Sequence, residues 1–214
     1  MKYLIVCGGK TDKEFGLNEI KTDGIDAIIA ADSGMDFLYE NGVTPDIIVG
    51  DFDSATTKAL EFFERKGQTE IHRLNPIKDD TDTEYAIRLA IREGARSIVM
   101  LGATGSRIDH VLGNISLLGI GLESKTDISI IDTNNRIRMA DKPVTIEKSA
   151  QYGRFVSLIA VTDDNEVSLR GFKYPVTDYS FDRFTSLGIS NEIVDDHALI
   201  DIHRGKFIII ESKD

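Results

Sequence analysis

A single cysteine, Cys7, excludes an internal disulfide, and its place in the apolar run Leu4 to Cys7 makes it a candidate buried thiol. No stretch approaches the roughly 18 apolar residues of a membrane-spanning helix, so no membrane partner is expected. Positive charge is scarce: 25 Lys and Arg face 36 Asp and Glu, a net charge of -11. A chain this acidic is a poor match for a nucleic-acid backbone, which requires clustered cations. An anionic ligand therefore has to arrive with a metal or meet locally placed Arg and Lys. Four prolines leave little room for a long stiff linker. No repeat or low-complexity tract occurs, and His72, His197 and His203 lack the spacing of a zinc site. The N-terminus enters a short apolar run and meets Gly8-Gly9 directly, without the longer apolar core and cleavage site of a leader. A cytoplasmic location is expected.

What is present is globular: 41% hydrophobic and 29% charged residues over 214 positions, enough for one large domain or two small ones. Up to about residue 140, short β-rich runs alternate with helix-length amphipathic stretches, which predicts a parallel α/β sheet. Strands are expected at Tyr3 to Cys7, Ile25 to Ala30, Ile47 to Val49, Ile71 to Leu74, Ser97 to Leu101 and Ile128 to Ile131. Helices are expected at Ala55 to Lys66, Thr83 to Glu93 and Ile108 to Leu122. After Asp141-Lys142-Pro143 the texture changes to short strands at Val144 to Glu147, Phe155 to Ala160, Glu166 to Leu169, Ala198 to Ile202 and Phe207 to Glu211. Turn residues at Asp163-Asp164-Asn165 and Arg204-Gly205 suggest antiparallel pairing. Residues 1–140 and 141–214 are the expected domains.

Acidic residues cluster where apolar strands run into polar turns. Asp32 lies in Ala31-Asp32-Ser33-Gly34, Asp51 and Asp53 in Gly50-Asp51-Phe52-Asp53-Ser54, and Asp82 closes Lys78-Asp79-Asp80-Thr81-Asp82. Ligands of open parallel sheets bind at the carboxyl ends of the strands. Carboxylates converging there repel one another unless a cation sits between them, and hard oxygens are the ligands Mg2+ accepts. Simple helix capping by Asp53 or Ser54 accounts for one acid, not two. In Thr81-Asp82-Thr83-Glu84 a capping box explains Thr81 and Glu84; it leaves Asp79, Asp80 and Asp82 unaccounted for, and Asp82 is the expected metal ligand.

Gly102-Ala103-Thr104-Gly105-Ser106-Arg107-Ile108-Asp109-His110 follows an apolar run and opens a helix. Small residues let backbone N–H groups approach an anion, and the helix N-terminus adds positive potential. Arg107 can grip phosphate oxygens bidentately. The Gly-Lys-Ser/Thr of a Walker A loop is missing. His110, and Asn114 one turn on, are binding candidates. In the second half, Ser186 to Glu192 is the one polar stretch suited to orienting a small organic ligand, a plain turn being the alternative.

In order and combination, Ala31 to Gly34, Pro45-Asp46 running into Gly50 to Ser54, Asp79 to Glu84, Gly105 to His110 with Asn114, and Ser190-Asn191-Glu192 resemble the thiamine pyrophosphokinase (thiamin diphosphokinase) family in its bacterial form. The resemblance spans nearly the whole chain. It implies a homodimer with a Rossmann-like α/β domain for Mg-ATP, followed by an antiparallel β-sandwich domain that helps form a thiamine pocket at the subunit interface. It also implies that Asp51, Asp53 and Asp82 hold Mg2+ and serve catalysis. Asp32, Ser33, Gly34, Thr104, Gly105, Arg107, Asp109, His110 and Asn114 would then line the ATP site, and Ser190 and Asn191 would face thiamine. The implied reaction is attack of the thiamine hydroxyl on the β-phosphorus of ATP, releasing AMP, with Asp82 accepting the hydroxyl proton or orienting it. One departure stands out: some members, notably eukaryotic ones, place a Trp near the thiamine pocket, and this chain has none. Two other readings fit the residues: a different metal-dependent phosphoryl enzyme, such as a pterin pyrophosphokinase or nucleotide hydrolase, or a ligand-binding protein without turnover.

Overall fold

In the first half, apolar runs too short for helices become strands buried on both faces. The computed structural model describes residues 1–52, 57–75 and 80–214, which fall into two units, Met1–Thr133 and Asn134–Asp214. The first unit runs β1 (Lys2–Val6), α1 (Lys13–Ile20), β2 (Ala27–Ala31), α2 (Gly34–Glu40), β3 (Ile47–Gly50), α3 (Thr57–Lys66), β4 (Glu70–Arg73), α4 (Asp82–Arg92), β5 (Ser97–Leu101), α5 (Ile108–Ser124) and β6 (Asp127–Ile131). All strand pairs in this unit are parallel, in the order β6-β5-β1-β2-β3-β4. Leu4, Ile5 and Val6 are consecutive and buried, as a strand covered on both sides demands. Each such aliphatic side chain contributes roughly 1.5–3 kcal/mol by leaving water.

The strand order reverses at β1: the chain winds outward through β2, β3 and β4, then returns to the other side of β1 for β5 and β6. The carboxyl ends of β1 and β5 therefore lie at the switch point of the sheet, the place where open parallel sheets bind ligands. Two helices escape the sequence reading. α1 buries only Gly16, so it carries no apolar stripe, and α2 is seven residues long, too short for a period to register. For the expected helix from Ala55, the described part begins at Thr57.

In the second unit, β7 (Asn135–Ala140), β8 (Val144–Glu147), β9 (Phe155–Ala160), β10 (Glu166–Arg170), β11 (Val176–Ser180), β12 (Asn191–Glu192), β13 (His197–Arg204) and β14 (Phe207–Ser212) pair antiparallel. They form two four-stranded arrays, β12-β9-β14-β7 and β11-β10-β13-β8. Alternation replaces continuous burial: Phe207, Ile209 and Glu211 of β14 point inward, their neighbours outward. Inward residues of both arrays, including Val156, Leu158, Val167, Ile200 and Phe207, make one core. The Phe181 and Phe207 rings meet edge to face at 5.7 Å.

The unit boundary precedes β7, which pairs with β14 along its whole length, so residues 134–140 belong to the second unit. Antiparallel pairing after residue 143 is as expected, while the turns at 163–165 and 204–205 join strands of different arrays, β9 with β14 and β10 with β13, rather than partners of one hairpin. The two turns instead meet at one corner, where Lys206 N donates to Thr162 Oγ1 at 3.1 Å. No helix among the described residues is long and apolar enough to cross a membrane.

Candidate active site

Three carboxylates converge at the carboxyl edge of the first unit's sheet. β2 ends at Ala31 and the chain turns at Asp32, whose φ of 49° is left-handed; its N–H donates to Val49 O at 2.8 Å. β3 ends at Gly50, Asp51 follows, and Phe52 is again left-handed at φ 62°. Such conformations cost a non-glycine residue roughly 1–3 kcal/mol and cluster where side chains must be aimed. Asp82 opens α4, whose N-cap Thr81 accepts from Glu84 N at 3.1 Å. The capping box is half made: the Glu84 carboxylate turns to Arg88, at 2.9 Å from Nε and 2.7 Å from Nη2.

Carboxylate oxygens of Asp32, Asp51 and Asp82 lie within 4.8 Å of one another, all three residues half-buried. At that separation each ionised pair repels by about 3 kcal/mol at an effective dielectric near 20, before screening. A divalent cation among them reverses the sign. Their chemistry, hard anionic oxygen with no thiolate or imidazole in the set, suits Mg2+.

The same three residues line a cavity of about 850 Å3 whose opposite wall is the loop from Gly102 to Arg107. That loop leaves β5 beside the loop leaving β1, at the reversal of strand order. Gly9 N donates to Gly102 O at 2.9 Å and Cys7 N to Leu101 O at 2.8 Å, tying the two together. Gly102 has φ 63°, and a Cβ there would sit 2.5 Å from Cys7 O; the approach requires glycine. Thr104 Oγ1 donates to Asp132 Oδ2 at 2.8 Å, and Asn114 Nδ2 reaches back from α5 to Ala103 O at 2.8 Å. Arg107 Nη2 donates to Asp109 Oδ2 at 2.6 Å, and this bond raises the guanidinium pKa and lowers that of the carboxyl. Cys7 forms part of the floor. Burial pushes its thiol up to about 12 despite a weak donor in Thr83 Oγ1 at 3.8 Å, so it is a neutral packing group and no nucleophile at neutral pH.

Asp32, Ser33, Asp51, Asp82, Thr104, Gly105, Arg107, His110 and Asn114 thus share one cavity. Asp32 stands in the acidic cluster itself rather than only beside the nucleotide. Asp109 stands outside the lining, exposed and turned to Arg107. Gly34 is buried under β1, where a Cβ would meet Val6 O at 2.0 Å, so it serves packing. Asp53, like Lys78 and Asp79, lies outside the described residues.

A profile for the thiamin pyrophosphokinase catalytic domain matches residues 21–131, and one for the vitamin B1 binding domain of the same enzymes matches residues 143–207. The chain is 35% identical over 188 residues to the thiamine pyrophosphokinase of Bacillus subtilis, covering 87% of each protein. The chain belongs to the thiamine pyrophosphokinase family. Solved structures of this family agree in fold: that of the Bacillus subtilis enzyme superimposes with a TM-score of 0.89 at 31% identity, covering 100% of both chains. That from Geobacillus thermodenitrificans gives 0.85 at 29%, covering 100% of this chain and 98% of the other.

Within the part matching the family's vitamin B1 binding domain, Ser190 is exposed, left-handed at φ 59°, and its N–H donates to Ser157 Oγ at 3.0 Å. Asn191 differs from expectation in character. It is buried in β12, where Oδ1 accepts from Tyr174 N at 3.1 Å and Glu192 N at 2.9 Å while Nδ2 donates to Tyr174 O at 2.9 Å. These three contacts hold its amide against the chain of Tyr174 and Glu192. Gly8, Gly9, Lys10 and Thr83 also line the cavity, without having been expected there from the sequence. A Gly-Gly pair closing the first strand of a doubly wound sheet was the available signal.

Proposed function

We propose that this thiamine pyrophosphokinase family member binds Mg-ATP in the cavity of its first unit and transfers the pyrophosphoryl group to the thiamine hydroxyl. The observation that carries the reading is the gathering of Asp32, Asp51 and Asp82 within 4.8 Å in a cavity shared with a glycine-containing loop and Arg107. Those three carboxylates would hold the metal. Bound there, Mg2+ would supply positive charge that neutralises phosphate oxygens. Arg107 grips phosphate oxygens bidentately, exchanging its contact with Asp109 for the ligand. Backbone N–H groups of the loop before α5 face the phosphates with the helix's positive end behind them. Asp132, through Thr104, keeps that loop in place.

In the transfer step the thiamine oxygen bonds to the β-phosphorus, the bond from that phosphorus to the α-bridging oxygen breaks, and AMP leaves. The hydroxyl proton passes to a carboxylate within reach, and Asp82, at the start of α4, is assigned that acceptor role. The acceptor is held in the part matching the vitamin B1 domain, with Ser190 facing it. A homodimer with thiamine at the subunit interface, in the cytoplasm where ATP is available, completes the proposal.

Mass spectrometry of purified protein with Mg-ATP, with and without thiamine, tests it. Thiamine diphosphate and AMP in equal amounts are expected. AMP or ADP formed without thiamine would mark a hydrolase, and no product would mark a different acceptor or a binding role.

A further inference from the structure

Lys10 follows Gly8-Gly9 in the loop leaving β1 and lines the same cavity as the three carboxylates. The loop is not free to carry it elsewhere. Gly9 N is bonded to Gly102 O at 2.9 Å, and two residues on, Asp12 caps α1 by accepting from Phe15 N at 2.9 Å. The backbone on both sides of Lys10 is therefore anchored, at the strand pair where the sheet order reverses.

The charges lining the cavity are unbalanced. Among the described residues the lining holds three carboxylates and two permanent cations, Lys10 and Arg107. Arg107 already has a carboxylate in Asp109, Nη2 to Oδ2 at 2.6 Å. Lys10 has no hydrogen-bond or ion-pair partner among the described residues, which makes it the one lining cation not already matched by a protein carboxylate. A polyphosphate entering beside Asp32, Asp51 and Asp82 meets repulsion, and the β- and γ-phosphates bring most of its charge. A compact ammonium on a flexible stem can follow that charge.

We propose that Lys10 binds the β,γ-phosphate pair of ATP and discriminates triphosphate from monophosphate nucleotides. This rests on the Mg-ATP reading above. Lys10 acts on the group that is transferred; once AMP is the remaining nucleotide, the contact has nothing left to hold, so the same residue favours donor binding and AMP departure.

The test is direct binding of ATP and of AMP, each with Mg2+, to the full chain, its Lys10→Met variant and its Lys10→Arg variant. Lys10→Met is expected to weaken ATP about 10- to 100-fold, the range of a charge-assisted hydrogen bond, with AMP affinity unchanged and Lys10→Arg recovering most of the loss. In turnover, the KM for ATP rises while that for thiamine does not. Unchanged AMP binding also reports that the variant is folded. Equal loss for ATP and AMP, or no loss for either, overturns the assignment of Lys10 and leaves the Mg-ATP reading standing. A wild-type chain that binds no ATP overturns both.

Discussion

The two units treat carboxylates in opposite ways. In the first, Asp32, Asp51 and Asp82 are brought within 4.8 Å of one another, half-buried, at the rim of a cavity. In the second, Glu211 is fully buried in β14 and enclosed by donors: Arg136 Nε at 2.9 Å and Nη2 at 2.7 Å, Arg138 Nη2 at 2.9 Å and Tyr152 N at 2.9 Å. The first arrangement gathers like charge around a cavity; the second surrounds one charge with opposite charge. A site built for a ligand carries its cost until the ligand arrives, whereas a structural ion pair is complete in the protein alone. The contrast can be broken or sharpened by substitution.

The largest effect is expected at Glu211. Replacing it with Gln leaves two guanidinium groups around a neutral amide and should cost about 3–5 kcal/mol, seen as a lower midpoint in denaturant unfolding. A loss under 1 kcal/mol would remove the contrast. Next, Asp82→Asn should lower kcat by about 10²–10³, the scale of losing one preorganised electrostatic group, in a coupled assay for AMP, with the unfolding midpoint little changed.

Cys7 gives a pH-dependent test on the first unit. Its thiol rises from 9.0 to about 12 on folding, so the unfolded chain releases this proton first and stability falls as pH climbs through that window. The loss is about 1.4 kcal/mol per pH unit, and stability from this group is full below pH 9.0. Cys7→Ala should have a shallower alkaline slope than the parent in pH-jump unfolding; equal slopes would mean the thiol is not desolvated. The smallest effect is expected at Thr81, the cap of α4: Thr81→Ala should cost about 1 kcal/mol, measured by thermal unfolding.

Legibility in the sequence followed the same divide. Parallel strands buried on both faces, such as Leu4 to Val6 and Ile98 to Leu101, stand out as apolar runs, and the acids at their ends stand out against them. β7, β11 and β12 did not: Asn135-Arg136-Ile137-Arg138 reads as polar because its arginines fold onto Glu211, a pairing 75 residues apart. Asp32 was legible as one of the acids converging on a sheet edge and, by resemblance, as an ATP-site residue; that it shares one cluster with Asp82 was not, because sequence distance says nothing of β2 and α4 meeting there. Asn191 was legible as a polar residue near a loop and not as a buried one, since burial came from bonds to Tyr174, distant in sequence. Lys10 was hidden for a plainer reason: the position after Gly-Gly acquires meaning only once the strand order places β1 beside β5.

The most direct test of the contrast is the unfolding free energy of Asp51→Asn against the parent, each measured in EDTA and in saturating Mg2+. Relief of like-charge repulsion predicts a variant at least as stable as the parent in EDTA, and a parent that gains stability with Mg2+ while the variant gains little. A variant clearly less stable in EDTA, with Mg2+ stabilising both equally, would contradict the account and make Asp51 a structural acid.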